Sequence, residues 1–356
     1  MLNIQQLLEL VISRKASDLH VLVGSVPVIR IEGVLVPVPG EPVLSHERGQ
    51  EMVYAILTAE QREVLSLNKE IDFSVAPTNG GRFRVNAYHQ KGDLAASFRL
   101  IPPKAPTIEQ LGLPKICHMF ATLRQGFVLV TGPTGHGKST TLASVIDEIN
   151  TNRFEHIVTI EDPIEFVFEP KKSIISQREM HGDTHSWDVA LRSALREDPN
   201  VVLVGEMRDY ETISAALTLA ETGHLVFATL HTNSASQTID RIVDVFPQEQ
   251  QDQVRMQLSS TIEAVFSQRL IPALGGGRVV AHEIMLGTPA VKTAIRDGKS
   301  HMMDNIIQTS GELGMVQLEM SLAQLVREGR ISLDTALEFA IRPEELSRQI
   351  HGRTGK

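Results

Sequence analysis

The feature that constrains this chain most is a strand, a glycine-rich loop and a helix read in unbroken succession. Phe127-Val-Leu-Val-Thr131 is a short apolar run, followed at once by Gly132-Pro-Thr-Gly-His-Gly-Lys-Ser139 and Thr140. Leu142, Val145, Ile146 and Ile149 then recur at helical spacing and form one apolar face. A GxxxxGKS/T pattern between strand and helix is a phosphate loop. Its glycines let backbone N–H groups turn toward phosphate oxygens, and the helix N-terminus adds a dipole that favours negative charge. The pattern assigns Gly132, Pro133, Thr134, Gly135, His136, Gly137, Lys138, Ser139 and Thr140 to ATP. Lys138 is expected at the β- and γ-phosphates and the Ser139 hydroxyl on Mg²⁺. His136 is expected to contribute mainly its backbone.

Hydrolysis needs a positioned water and metal control as well as a phosphate loop. Two later apolar runs end in carboxylates: His156–Ile160 leads into Glu161-Asp-Pro-Ile-Glu165, and Asn200–Val204 into Gly205-Glu206. Ligands of an open α/β sheet bind outside the carboxyl ends of its strands, where these acids fall. Glu165 is the expected polariser of the attacking water, with Glu161 and Asp162 orienting metal-bound waters and Glu206 at the metal-region position that usually holds Asp. A fourth run, Leu225–Leu230, has His224 before it and His231 after it. The pair is expected to sense the γ-phosphate or a subunit interface. A lone acid or histidine in such a loop is ordinarily only a solvated or hydrogen-bonded residue.

The segment preceding the loop reads differently. Ile4, Leu7, Leu8, Val11 and Ile12 form a helical stripe, and short β-like runs follow at 19–23, 28–31 and 34–37. Thr58-Ala-Glu-Gln61 has capping-box form for a helix reaching about Leu67. In 82–88, Phe83, Val85 and Ala87 alternate with Arg82, Arg84 and Asn86; in 95–100, Ala96, Phe98 and Leu100 alternate with Ser97 and Arg99. Alternation puts the arginines on the polar face of their strands. Ile101-Pro-Pro-Lys-Ala-Pro106, with three prolines, suits a linker. The domain expectation is 1–101, a linker over 102–112, an α/β core over 113–287 and helices over 288–356.

Composition narrows the function classes. With 356 residues, 42% hydrophobic and 22% charged, the chain can bury more than one core. A net charge of −9 argues against a broad nucleic-acid surface. Its one cysteine, Cys117, excludes an intramolecular disulfide or a multi-cysteine zinc site and suits a reducing compartment. Neither a secretory signal nor a run of roughly eighteen apolar residues is present, so direct membrane insertion is not expected.

Taken together, the motifs resemble those of the type II/IV secretion ATPases. The matching stretches are Ala16–His20, the phosphate loop, Glu161–Glu165, Ala190–Arg196 into Asp198-Pro199, Val204–Asp209, Thr222–His224 through Thr232, and Ser267–Pro272. The resemblance implies a PAS-like α+β N-terminal domain, a RecA-like P-loop ATPase domain, a helical C-terminal segment and a homohexameric ring. It further implies that Arg84 and Arg99, with Arg82 a weaker candidate, act as arginine fingers on the γ-phosphate. One cysteine and the absence of a long N-terminal extension favour the pilus-retraction branch over the assembly branch. The implied activity is ATP hydrolysis driving type IV pilus retraction and twitching motility. The motor would lie in the cytoplasm, peripheral to the inner membrane through a platform protein, with a paralogous retraction ATPase as a possible partner.

One segment departs from that branch. Retraction ATPases carry a stretch close to AIRNLIRE, and Ala290-Val-Lys-Thr-Ala-Ile-Arg-Asp297 stands there instead. An accessory retraction ATPase and a weakly hydrolysing nucleotide-dependent switch or scaffold therefore stay open as alternatives.

Overall fold

The computed structural model describes residues 1–77, 80–102 and 104–351. Pro103, inside the expected linker, and 352–356, inside the expected helical tail, lie outside the described residues. The chain divides into two compact units, Met1–Lys104 with Pro163–Phe168, and Ala105–Asp162 with Glu169–Lys356.

The first unit contains α1 (Ile4–Ser13), β1 (Asp18–Leu22), β2 (Val28–Ile31), β3 (Val34–Pro37), α2 (His46–Tyr54), α3 (Ala59–Asn68), β4 (Glu70–Val75), β5 (Arg82–Gln90) and β6 (Asp93–Ile101). The strands form an antiparallel sheet in the order β3-β2-β1-β6-β5-β4. Alternation decides its two faces. Leu19, Val21, Phe83, Val85, Ala87 and Phe98 point into a core filled by Leu7, Leu8 and Val11 of α1, Met52 and Val53 of α2 and Leu65 of α3. The opposite face carries a charged row, in which Arg30 pairs with Asp18, Asp18 with Arg99 and Arg99 with Arg84 across neighbouring strands. Both capping boxes are complete, Asn3 with Gln6 and Thr58 with Gln61.

The second unit contains α4 (Ile116–Thr122), β7 (Gly126–Thr131), α5 (Lys138–Asn152), β8 (His156–Glu161), β9 (Ile174–Glu179), α6 (Trp187–Ala194), β10 (Val201–Val204), α7 (Tyr210–Glu221), β11 (Leu225–Leu230), α8 (Ala235–Asp244), α9 (Gln248–Thr261), β12 (Ile262–Pro272) and β13 (Arg278–Leu286). Five helices close it: α10 (Pro289–Arg296), α11 (Met303–Thr309), α12 (Leu318–Arg327), α13 (Leu333–Phe339) and α14 (Pro343–His351). Its sheet runs β13-β12-β7-β11-β10-β8-β9, parallel except for the antiparallel β13 edge. Strands β7, β10 and β11 are buried along their whole length, which is why they read as continuous apolar runs without alternation. Register brings their ends together. Thr131 lies opposite Leu230, and Val204 lies opposite both Ala228 and Ile160. The residues that follow β7, β8, β10 and β11 therefore emerge at one end of the sheet.

Candidate active site

Three glycines shape the loop between β7 and α5. Gly132, Gly135 and Gly137 all have positive φ, and a Cβ on Gly132 would meet the Gln268 carbonyl oxygen at 2.2 Å. Gly137 is the N-cap of α5 and offers no side-chain cap, unlike Ser186, Asp209 and Ser234 at the starts of α6, α7 and α8. The first-turn N–H groups of α5 are left for an anion, which is the donor array a phosphate needs.

Lys138 is buried, and its ammonium folds back on the loop. Nζ donates to the carbonyls of Gly132 at 2.9 Å and Pro133 at 3.1 Å, and to His231 Nδ1 at 3.3 Å. His231, the first residue after β11, also has Thr134 Oγ1 at 3.2 Å from Nδ1 and Glu206 Oε1 at 2.8 Å from Nε2. An ammonium only donates and a carboxylate only accepts, so Nδ1 is the acceptor and Nε2 carries the proton. A continuous polar path thus joins the loop lysine, His231 and Glu206.

Glu206 follows β10 and is gripped by Arg208, with Nε at 2.6 Å and Nη2 at 2.8 Å. Burial pulls its carboxyl upward, but Arg208 and His231 outweigh burial and hold it below the ordinary carboxylate range. Asp162, exposed after β8, adds negative potential at Arg208. Glu161 is buried and accepts from Thr159 Oγ1 at 2.7 Å and Gln177 Nε2 at 3.3 Å.

One expected residue of the second unit lies away from this end of the sheet. His224 sits at the opposite end of β11, separated from His231 by the six residues of the strand, with Nδ1 3.0 Å from the Leu219 carbonyl and 3.1 Å from Thr222 Oγ1. Glu165 lies on Pro163–Phe168, which packs as part of the first unit. Arg84 and Arg99 are exposed on the charged face of that unit, and Arg99 Nε lies 3.0 Å from Asp18 Oδ1. Arg82 is half-buried on the neighbouring stretch of β5. Arg208, Gln268 and Asp18 were not singled out from sequence, although all three lie inside the stretches that carry the family resemblance.

Mg²⁺ takes hydroxyl and carboxylate oxygens. Ser139 in the first turn of α5, with Glu161 at the end of β8, Asp162 just after it and Glu206 after β10, supplies that donor chemistry at the same end of the sheet. Among the described residues no preformed cluster of three or more His, Cys, Asp or Glu side chains has metal-holding geometry.

The phosphate loop, the lysine and the strand-end acids on a parallel sheet define a P-loop ATPase of RecA-like form, joined to a PAS-like α+β unit. The chain belongs to the type II/IV secretion system protein family, whose model matches residues 2–338. It is 50% identical to the type IV pilus retraction ATPase PilT of Pseudomonas aeruginosa, over 96% of this chain and 99% of that protein. Identity to the type IV pilus ATPase PilU of the same organism is 38%, over 95% and 89%. A crystal structure of the pilus retraction motor PilT with bound ADP superposes with a TM-score of 0.91 at 45% identity, covering 98% of this chain and all of that one.

Proposed function

We propose that this chain is the ATP-hydrolysing motor of type IV pilus retraction. Its copies would assemble as a homohexameric ring in the cytoplasm and act on an inner-membrane platform protein. The observation that carries the reading is the path from Lys138 through His231 to Glu206 beside the uncapped start of α5. The 50% identity to PilT against 38% to PilU favours the retraction motor over its paralogue.

In this account ATP phosphates displace the Gly132 and Pro133 carbonyls as partners of Lys138, and the α5 N–H groups of Lys138, Ser139 and Thr140 cradle them. Loop residues Gly132 to Gly137 shape the cradle. Ser139, Glu206, Glu161 and Asp162 would hold Mg²⁺, which when bound would neutralise charge developing on the phosphates. Glu165 polarises the attacking water. His231, wired to both Lys138 and Glu206, reports the γ-phosphate, and His224, at the far end of β11, is assigned to a contact between subunits. Arg84 and Arg99 supply cationic charge to the transition state at an interface site, with Arg82 the weaker candidate. The functional division follows 1–101, 102–112, 113–287 and 288–356. Described helices include none long and apolar enough to cross a membrane; attachment would run through the platform protein.

A second reading, an accessory retraction ATPase working beside a paralogue, draws on one element. Lys292 of α10, in the divergent Ala290–Asp297 segment, is tied to Glu263 at 3.0 Å. Deleting the gene and scoring surface pili and twitching separates the readings. Excess pili with lost motility is expected for the retraction motor. Reduced retraction force with motility preserved supports the accessory role, and normal pili with normal motility overturn both.

A further inference from the structure

The phosphate loop is held by groups outside its own strand–loop–helix unit. Gln268 on β12 is fully buried, and both ends of its amide are used. Nε2 donates to the His136 carbonyl at 2.6 Å, and Oε1 accepts from the Thr141 hydroxyl at 2.7 Å. A carbonyl can only accept, so the amide orientation is fixed. Two residues on, the Leu270 N–H donates to His136 Nδ1 at 3.0 Å, and Arg278 of β13 donates to the Gly135 carbonyl at 3.3 Å. Register explains the closeness. Ser267 lies opposite Thr131, which sets Gln268 against Gly132, where the chain leaves β7. Only glycine fits there, because the Gln268 carbonyl stands 2.2 Å from where a Cβ would be.

We propose that Gln268, together with the His136 side chain, is a positioning residue of the nucleotide site. The pair ties the crest of the loop and the first turn of α5 to β12, and so presets the N–H array that receives phosphate. His136 therefore does more than lend its backbone. Its neutral imidazole accepts an N–H from β12 that a serine at this position is too short to reach in the same way. The buried amide of Gln268 spans loop and helix at once, so losing it leaves the His136 carbonyl and the Thr141 hydroxyl without their partners and lets the cradle open. Preset donors cost nothing to order when ATP arrives, so their loss weakens binding more than turnover.

The inference rests on the reading of Gly132–Thr140 as the ATP site. Its test uses the full chain, with ATP as substrate and a fluorescent ADP analogue as binding probe. Gln268→Met keeps the side-chain volume without polar atoms. It is expected to raise KM for ATP and Kd for the probe by about tenfold, with kcat falling by less. His136→Ser is expected to raise both by roughly two- to tenfold. His136→Asn, whose Oδ1 can take the Leu270 N–H, is expected to recover most of that loss. Should Gln268→Met fail to fold, the two His136 variants decide. Unchanged KM and Kd in these variants, or an asparagine no better than serine, overturns the brace. Turnover surviving in Lys138→Ala would instead overturn the ATP-site reading beneath it.

Discussion

At the scale of single residues, Glu206 shows how a carboxylate is held ready. Its two cationic or proton-donating neighbours, Arg208 and His231, offset the cost of burial and keep it ionised. Glu206→Gln removes the charge while keeping the shape, and should cut turnover by about a hundredfold or more while ATP stays bound. Nucleotide retained on the protein after rapid desalting, read by chromatography, checks this; release as fast as from the unaltered protein counts against the role. Lys138 and Ser139 were legible in sequence through the glycine-loop pattern, and Glu206 and His231 because each closely follows a recognisable strand. Arg208 was not, because a salt bridge between residues two apart in an irregular loop has no periodicity to betray it. Gln268 was hidden for a second reason, being 132 positions away from the carbonyl it holds.

At the scale of elements, alternation and capping signals carried most of the first unit. The three early strands, the Thr58 capping box and the arginine-bearing strands all appear with bounds within a few residues of expectation. Helix α2 and strand β4 were not read, and α2 has an N-cap in Ser45 but a weakly apolar face that only its packing partners reveal. Thr58 is the cleanest element to test. Thr58→Ala removes the hydroxyl that accepts the Gln61 N–H at 3.2 Å while leaving the residue-58 N–H free to donate to Gln61 Oε1, and should weaken α3 by about 1 kcal/mol. Hydrogen exchange at the α3 amides is expected to quicken by roughly fivefold, with the amides of α5 unaffected. Equal protection of α3 in both proteins would show that the cap contributes nothing there.

At the scale of the whole molecule, sequence patterning separated an α+β segment from an α/β segment, but it placed Glu165 with the strand-end acids of the second. The short piece Pro163–Phe168 packs in the first unit instead, a long-range return that periodicity cannot encode because it reports faces and not partners. Stability of the second unit also has a pH signature. Burial pushes the Glu283 carboxyl up to about 7, against the pull of the Ala235 N–H and Arg342. The unfolded chain ionises this group near 4.5 and the folded chain only near 7, so folding loses stability as pH rises between those values. Glu283→Gln does not titrate and should gain on the unaltered protein across that interval, by on the order of 3 kcal/mol. The adjacent His282, pulled down to about 4 by burial, acts in the opposite sense but is common to both proteins. Thermal unfolding of the pair at pH 5 and pH 8 reads the difference, and a gap that does not change with pH would remove Glu283 as its source. Beneath all of this lies the claim that the Gly132–Thr140 loop drives ATP hydrolysis. Phosphate release from Mg²⁺-ATP by the purified chain, measured beside Lys138→Ala, tests that claim most directly: steady turnover that falls to background in the variant is predicted, and equal turnover in the two proteins would contradict it.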